Sequence, residues 1–386
     1  MSAPRHPADD QASAQADTDL RMMRRALALA AGALYRTSPN PRVGCVLARD
    51  GRVLAEGATE RAGARHAEAV ALDAARQRGI DLRGATAYVT LEPCSHHGRT
   101  PPCADALVAA GIARVVAAAR DPNPLVDGGG LARLRAAGIA CECGLLENES
   151  RELNLGFFSR HERGRPWLRL KVASSLDGIT ALPNGASQWI TGPAARADAH
   201  HWRARACAVL TGIGTVRDDD PALTVRHVAT SRQPWRVVVD SRLELSPRAR
   251  LLREGQAHEV LVAHALDPAE AARRGAALLA LGVQLLAVPA AEDKPGKVDL
   301  RRLMQELAAR QVGELHVEAG ARLNASLLAA AVVDELLLYQ APVLLGQGAG
   351  IGPFGPLQEV AQGLRLHRVQ IEPIGEDFRW RARLAG

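Results

Sequence analysis

Two short stretches hold side chains able to do chemistry together. "LEPCSHHGRTPPC" contains Cys94 and Cys103, each directly after a proline, with His96 and His97 between them. "HAE" places His66 and Glu68 at the start of a helical pattern. Two thiolates do not complete a zinc site, so a third ligand has to come from elsewhere in the chain. His66 can supply it if two helix starts meet at one end of a sheet. His66, Cys94 and Cys103 then make three ligands and leave the fourth position to water, as catalytic zinc requires. Zinc makes hydroxide available near neutral pH. Glu68, two residues from a ligand, can stand beside that water and carry its proton to a ring nitrogen and a leaving amine. H-x-E, then P-C and a second cysteine, is the zinc deaminase constellation. The cysteine spacing here is C-x8-C rather than C-x2-C, and His96 or His97 as third ligand is the competing reading. That alternative leaves "HAE" without a purpose. Cys45, Cys141, Cys143 and Cys207 are scattered and read as small buried hydrophobes.

The elements around these residues alternate. A helix spans 20–35, and "VGCVLARDGRVLAEG" reads as a hairpin turning at Asp50-Gly51. A helix from His66 closes at Gly79, "ATAYVTLEPC" is a buried strand, and a helix opens at Cys103. Further strand and helix patterns lead to about residue 145, which gives an α/β layered domain over 20–145. Residues 146–166 are polar and charged and read as a linker. A second α/β domain with a largely parallel sheet fills 167–386, with strands expected at "WLRLKVASS", "ACAVLTG", "WRVVVDS", "EVLVAH", "VQLLAVP", "ELHVEAG" and "ELLLYQAPVLLG".

In that second domain "LTGIGT" follows a strand but has only G-x-G. "VEAGARLNASLL" offers a strand, a glycine and a helix start, where backbone N–H groups can face a pyrophosphate. An ordinary strand-to-helix turn is the alternative. Lys171 stands mid-strand in an arginine-rich chain with three lysines, an awkward place for a solvated charge.

Composition narrows the function. A chain of 386 residues is too long for one ordinary core. With 47% apolar and 23% charged residues it has the make-up of a globular protein. No run of 18 apolar residues is present, so no membrane-spanning helix is expected. Residues 1–19 lack an apolar h-region and read as a disordered tail, not a signal peptide. The cytoplasm is the expected compartment, where six cysteines are not a disulfide framework. The net charge is +6 and aromatics are 3%, with no interleaved basic and aromatic stripe. Nucleic acid is therefore not an expected partner. A deaminase of nucleic-acid or nucleoside bases with an appended dehydrogenase-like domain is the weaker alternative. A small anionic substrate suits the mild positive excess.

"PNPRVGCVLARDG", "HAEAVALDAA", "LEPCSHHGRTPPCADALVAAGIARVV" and "DPNP" resemble the deaminase half of the bifunctional riboflavin biosynthesis deaminase/reductases. The long cysteine spacing is that family's own. "LKVASSLDGITA", "SQWITG", "GTVRDDDPALTVR", "VVVDS", "VEAG" and "DELLLYQAPVLLG" resemble the reductase half, in the right order. "GARHAE" departs from it, with Ala64 and Arg65 where Glu-Pro is expected. The resemblance implies a cytidine-deaminase-like α/β/α layer domain, a dihydrofolate-reductase-like α/β domain, and Zn2+ and NADPH as cofactors. It implies a phosphorylated pyrimidine substrate that is first deaminated and then reduced at its ribosyl side chain. It also implies a homo-oligomer, dimer or tetramer.

By the same resemblance, His66, Cys94 and Cys103 hold zinc and Glu68 shuttles protons. Asn40, Arg99, Asp121 and Asn123 meet the deaminase substrate; turn chemistry beside prolines is the other reading of Asn40, Asp121 and Asn123. Ala173, Trp189, Thr215, Asp219, Ser241 and the run Gly320, Ala321, Arg322, Leu323, Asn324, Ala325 and Ser326 are the implied NADPH contacts. Lys171, Ser187, Arg203, Leu223, Arg226 and Glu318 are the implied contacts of the reductase substrate. Arg203 and Arg226 suit a phosphate; on sequence alone a surface arginine is the other reading of each.

Overall fold

The computed structural model describes residues 7–96, 102–253, 257–292 and 294–384, with side chains from residue 13 onward. The chain divides into two compact units, 1–163 and 164–386. The first contains α1 (Pro7–Ala31), β1 (Gly44–Arg49), β2 (Arg52–Ala58), α2 (Ala67–Gln77), β3 (Thr86–Val89), α3 (Cys103–Ala109), β4 (Arg114–Ala117), α4 (Gly129–Ala136), β5 (Ala140–Cys143), α5 (Glu147–Leu153) and α6 (Leu155–Arg163). Its sheet runs β2-β1-β3-β4-β5, antiparallel at β1 and parallel from β3 onward. Asp50 and Gly51 both have positive φ, 51° and 70°, as the tight turn between β1 and β2 requires.

Side chains alternate across the strands, so each face builds its own layer. Cys45, Leu47, Ala87, Val89 and Val115 pack with Ala67, Ala71, Leu107 and Leu134 on one face. Val46, Ala48, Tyr88 and Val116 pack with Met22, Met23, Ala26 and Leu27 of α1 on the other. Gly44 permits the close approach of α1, because a Cβ there would lie 1.9 Å from the Ala26 carbonyl oxygen.

Two expectations need correction. The helix expected from residue 20 starts at Pro7, so much of the supposed tail is helical. Asp19, near its middle, is buried and accepts hydrogen bonds from the Tyr88 hydroxyl at 2.6 Å and from Arg114 at 2.9 and 2.6 Å. The polar composition had masked that anchor. Residues 147–163 are not a linker but two helices. Phe157 and Phe158 enter the first unit's core, and Asn154 pairs with both backbone groups of Arg42 at 2.8 and 3.0 Å.

The second unit contains β6 (Trp167–Ser175), α7 (Pro193–Arg205), β7 (Ala208–Gly212), α8 (Ile213–Asp219), β8 (Trp235–Val239), β9 (Val260–His264), α9 (Pro268–Ala280), β10 (Gln284–Ala287), α10 (Leu300–Ala309), β11 (Glu314–Glu318), α11 (Ala321–Ala329), β12 (Glu335–Ala341), β13 (Leu366–Ile374) and β14 (Asp377–Leu384). The sheet order is β10-β9-β8-β7-β11-β6-β12-β14-β13. The first seven strands are mutually parallel, and β14 and β13 add on antiparallel. The seven expected strands are all present. The β13–β14 hairpin was not expected, because arginine, histidine and glutamine carry most of its alternation and leave little apolar period to read.

One face of this sheet is polar at its centre. Arg169 and Lys171 on β6, Glu314, His316 and Glu318 on β11, and Glu335 and Tyr339 on β12 lie in neighbouring register. Arg205 of α7 donates to Glu314 at 2.6 Å, Arg169 to Glu335 at 2.6 Å, and Arg381 of β14 to Glu335 at 3.1 Å. Trp202 lies under the Arg169 guanidinium, 4.4 Å from the ring centre. Buried ion pairs are close to neutral in net energy, whereas removing one partner costs several kcal/mol, about 3–5.

Candidate functional site

In the first unit, the starts of α2 and α3 meet beyond the C-terminal end of β3. His66 is the residue that caps α2, Cys103 is the first of α3, and Cys94 follows β3. Their donor atoms all lie within 4.8 Å of one another. His66 Nδ1 is 3.6 Å from Cys94 Sγ and 3.4 Å from Cys103 Sγ. Tetrahedral zinc with bonds of about 2.1–2.3 Å sets neighbouring donors about 3.6 Å apart, so these three residues fit the ion. His96 is exposed and outside the cluster, which is the only such His, Cys and carboxylate group among the described residues. His97 and Arg99 lie outside the described residues.

The environment suits one thiolate even before a metal is considered. A hydrogen bond from the Cys103 side chain, with help from His66 and the Cys103 N–H, holds the Cys94 thiol down at about 4. Cys103, as donor to that thiolate, is pushed the other way. Glu68 sits in the first turn of α2 and is buried. Burial, then the Cys94 charge, pushes its carboxyl up to about 7, against the pull of His66.

A second layer fixes the loops. Glu92, buried just before Pro93, accepts from the N–H groups of Asp121 at 3.2 Å, Gly128 at 3.0 Å and Leu131 at 3.0 Å. It thereby ties the cysteine loop to the start of α4. Gly130 packs against the same loop, and a Cβ there would lie 1.9 Å from the Pro93 carbonyl oxygen. Glu92 went unnoticed in the sequence, although a lone charge in "YVTLEPC" was a signal. Asp121 and Asn123 bond within their own loop, to the N–H groups of Asn123 at 2.8 Å and Leu125 at 3.1 Å. Asp121 is buried, which raises its carboxyl to about 7, and it lies close enough to act on His66. Asn40 is half-buried in the turn before β1. The departing Arg65 closes its loop through Glu60 at 2.7 Å and Asp73 at 2.9 Å.

In the second unit, the residues singled out gather at the C-terminal ends of adjacent parallel strands. Thr215 follows β7, Ser241 follows β8, Gly320 follows β11, and Lys171 and Ala173 lie on β6. Such strand ends are where open α/β sheets bind ligands. The Gly320 N–H donates to Thr215 Oγ1 at 3.1 Å, which joins the starts of α8 and α11. Among the described residues no side chain caps α11, and Asn324 of its first turn donates from Nδ2 to the Ile351 carbonyl at 3.0 Å. A helix start with no side-chain cap and a glycine at its head fit a dinucleotide phosphate. Trp189 is 70% exposed with the Arg196 guanidinium 4.6 Å from its ring, and Gln188 reaches Asp219 at 3.2 Å. Ser241 Oγ is occupied by the Val298 N–H at 3.1 Å. Ser187 is half-buried beside Gln188, and Leu223 is buried with φ of 55°.

Arg203, expected at a phosphate, grips both carboxylate oxygens of Glu318 and the Thr224 carbonyl at 3.0 Å. Burial alone would raise Glu318, but Arg203 wins and holds it well below the usual carboxylate range. Glu318 is in register with Lys171, whose amine is pushed down by burial and by Arg203 while Glu318 opposes. Lys171 Nζ also stands 5.9 Å from the centre of the Tyr339 ring, and the Tyr339 hydroxyl donates to Asp198 at 2.5 Å. Arg226 is exposed, yet partial desolvation of its guanidinium, then the charges of Arg203 and Arg250, disfavour its own charge while Glu318 opposes.

Together the two units define a class, a zinc-dependent hydrolytic deaminase joined in one chain to a reductase that uses a nicotinamide dinucleotide. Residues 16–119 match the profile of the cytidine and deoxycytidylate deaminase zinc-binding region, and residues 166–379 match the RibD C-terminal domain. The chain belongs to the bifunctional riboflavin biosynthesis deaminase/reductase family, whose cofactors are zinc and NADPH. It is 45% identical to riboflavin biosynthesis protein RibD of Escherichia coli, over 92% of this chain and 96% of the other. It is similar to the structure of Acinetobacter baumannii RibD, with 41% identity, a TM-score of 0.86, and coverage of 96% and 99%. The deaminase/reductase of Thermotoga maritima aligns with 34% identity, a TM-score of 0.82, and coverage of 96% and 99%.

Proposed function

We propose that the first unit hydrolyses the 2-amino group of 2,5-diamino-6-(5-phosphoribosylamino)pyrimidin-4(3H)-one, and that the second reduces the product's ribosyl side chain to ribityl with NADPH. The Thermotoga relative is named as an enzyme of these two steps. The observation that carries the reading is a buried carboxylate beside three converging donors of which it is not one.

His66, Cys94 and Cys103 would hold zinc, which when bound supplies the Lewis acidity that readies water for attack. Water adds its oxygen to the ring carbon, the C–N bond breaks with its electron pair leaving on ammonia, and there is no net oxidation or reduction. Glu68 takes the water's proton, gives it to the ring nitrogen, and then delivers a proton to the departing amine. Asp121 and Asn40 line the approach.

NADPH supplies the hydride of the second step. Opening of the ribose ring moves a proton to its ring oxygen and leaves C1′ doubly bonded to nitrogen. Hydride then adds to C1′ and a proton to that nitrogen. Lys171 is the group that donates; Glu318 stays ionised and holds the lysine ammonium in place. Arg203 fixes Glu318, and Arg226 offers a guanidinium to the phosphate.

The test is direct. Purified protein is expected to carry about one zinc per chain and to release ammonia from the diaminopyrimidine phosphate without NADPH. NADPH oxidation should then follow only with the deaminated product. Retention of RNA or DNA without ammonia release would instead support a base deaminase.

The site of action is the cytoplasm, consistent with six unbridged cysteines. Among the described residues no helix is long and apolar enough to cross a membrane. Two copies pair through the reductase unit, alone or within a tetramer. Strand β13 is an exposed edge nine residues long, with Leu366, Val369 and Ile371 outward, and an open apolar edge invites another chain. In sedimentation equilibrium, Ile371→Glu should shift the mass toward the 41.0 kDa protomer. A wild-type protein that already sediments as a protomer refutes the pairing.

A further inference from the structure

Strand β11 alternates, so Glu314, His316 and Glu318 share one face of the sheet. The two glutamates are each held by an arginine of α7, Glu314 by Arg205 and Glu318 by Arg203. His316, between them, has no such partner. Its ring is fully buried, and neither nitrogen makes a hydrogen bond of normal geometry among the described residues. The acceptor within reach is Glu318 Oε1, 3.5 Å from Nε2. A leucine would fill the place without stripping water from two ring nitrogens, so packing alone does not account for a histidine here. Its neighbours in register are Arg169 on β6 and Val209 on β7. Burial, with Arg169 and Arg203 nearby, disfavours the imidazolium although Glu318 favours it. The ring is therefore neutral and has one N–H to give.

We propose that His316 is a positioning residue of the reductase half. Its neutral ring, protonated at Nε2, steadies Glu318 Oε1 from within the sheet while Arg203 grips the same carboxylate from α7. Between them they hold the carboxylate toward Lys171 and the ribose. Contacts of this kind are often long without substrate and shorten in the working complex. The inference rests on the reading above that Glu318 serves the reductase step.

The test compares His316→Leu, His316→Gln, Glu318→Gln and the double variant His316→Leu/Glu318→Gln, with NADPH affinity and the thermal unfolding of the second unit as the controls for folding. His316→Leu is expected to lower kcat for NADPH oxidation about tenfold, the worth of one hydrogen bond to a charged group, with KM for NADPH unchanged. His316→Gln, which can offer an N–H at a similar reach, should recover most of the rate. The leucine change should add nothing in the Glu318→Gln background. If Glu318→Gln abolishes reduction while His316→Leu reduces at the wild-type rate, the positioning role is overturned and the reading of Glu318 stands. If Glu318→Gln itself reduces normally, the reading of Glu318 fails and the positioning role falls with it. A gain in thermal stability for His316→Leu alongside the loss of kcat would further separate positioning from packing.

Discussion

Glu68→Gln is expected to cut ammonia release about a thousandfold or more, because proton transfer and activation of water are lost together. NADPH oxidation with substrate that is already deaminated should stay within about twofold of wild type, as expected of independent sites. The amide has the shape of the carboxyl group but cannot take a proton from water. Glu68 is not one of the three converging donors, so zinc content should not change. Its burial adds a second expectation: an amide is less costly to bury than a carboxylate, so the variant should unfold at no lower a temperature than wild type. Loss of zinc would make Glu68 a ligand and overturn its role as shuttle. Loss of both activities would show that the two steps are not separable.

The metal cluster was legible in the sequence because its members are chemically distinctive and each stands at a helix start or strand end. His66 capping α2 and Cys103 opening α3 follow from the pattern of apolar residues after them. The parallel strands of the second unit were legible too, β8 and β9 as nearly continuous apolar runs and β6 and β11 by alternation. What escaped was polar structure that works only in three dimensions. Glu92 reads as one acid in a loop, and only the fold brings three N–H groups to it. Arg203 reads as a surface arginine of a helix, and only the packing of α7 on β11 turns it toward Glu318. The helical start of the chain was hidden because Asp19 looks like a solvated residue until Tyr88 and Arg114 are placed around it. The hairpin of β13 and β14 was hidden because charged and polar residues interrupt the apolar ones of β13 and leave it no clean period of two.

Lys171→Met should leave the second unit folded and lower NADPH oxidation by about a hundredfold to a thousandfold, the usual worth of a positioned acid. Lys171 is one strand from Glu318, in register with it, and is the only lysine of β6. Methionine keeps much of the aliphatic length and removes the ammonium. Lys171→Arg separates the two things the lysine could supply. An arginine keeps the positive charge beside Glu318 but does not give up a proton in the working range of pH. If charge alone matters, the arginine variant recovers most of the rate; if proton delivery matters, it remains nearly as slow as methionine, which is the outcome expected. The pH profile gives an independent check. Burial and Arg203 bring the amine below the ordinary lysine range, with Glu318 opposing. An acid must hold its proton to act, so kcat should be flat at low pH and fall as pH rises through that lowered value. In the arginine variant this alkaline fall should vanish. A profile identical in wild type and the arginine variant would take the proton away from Lys171.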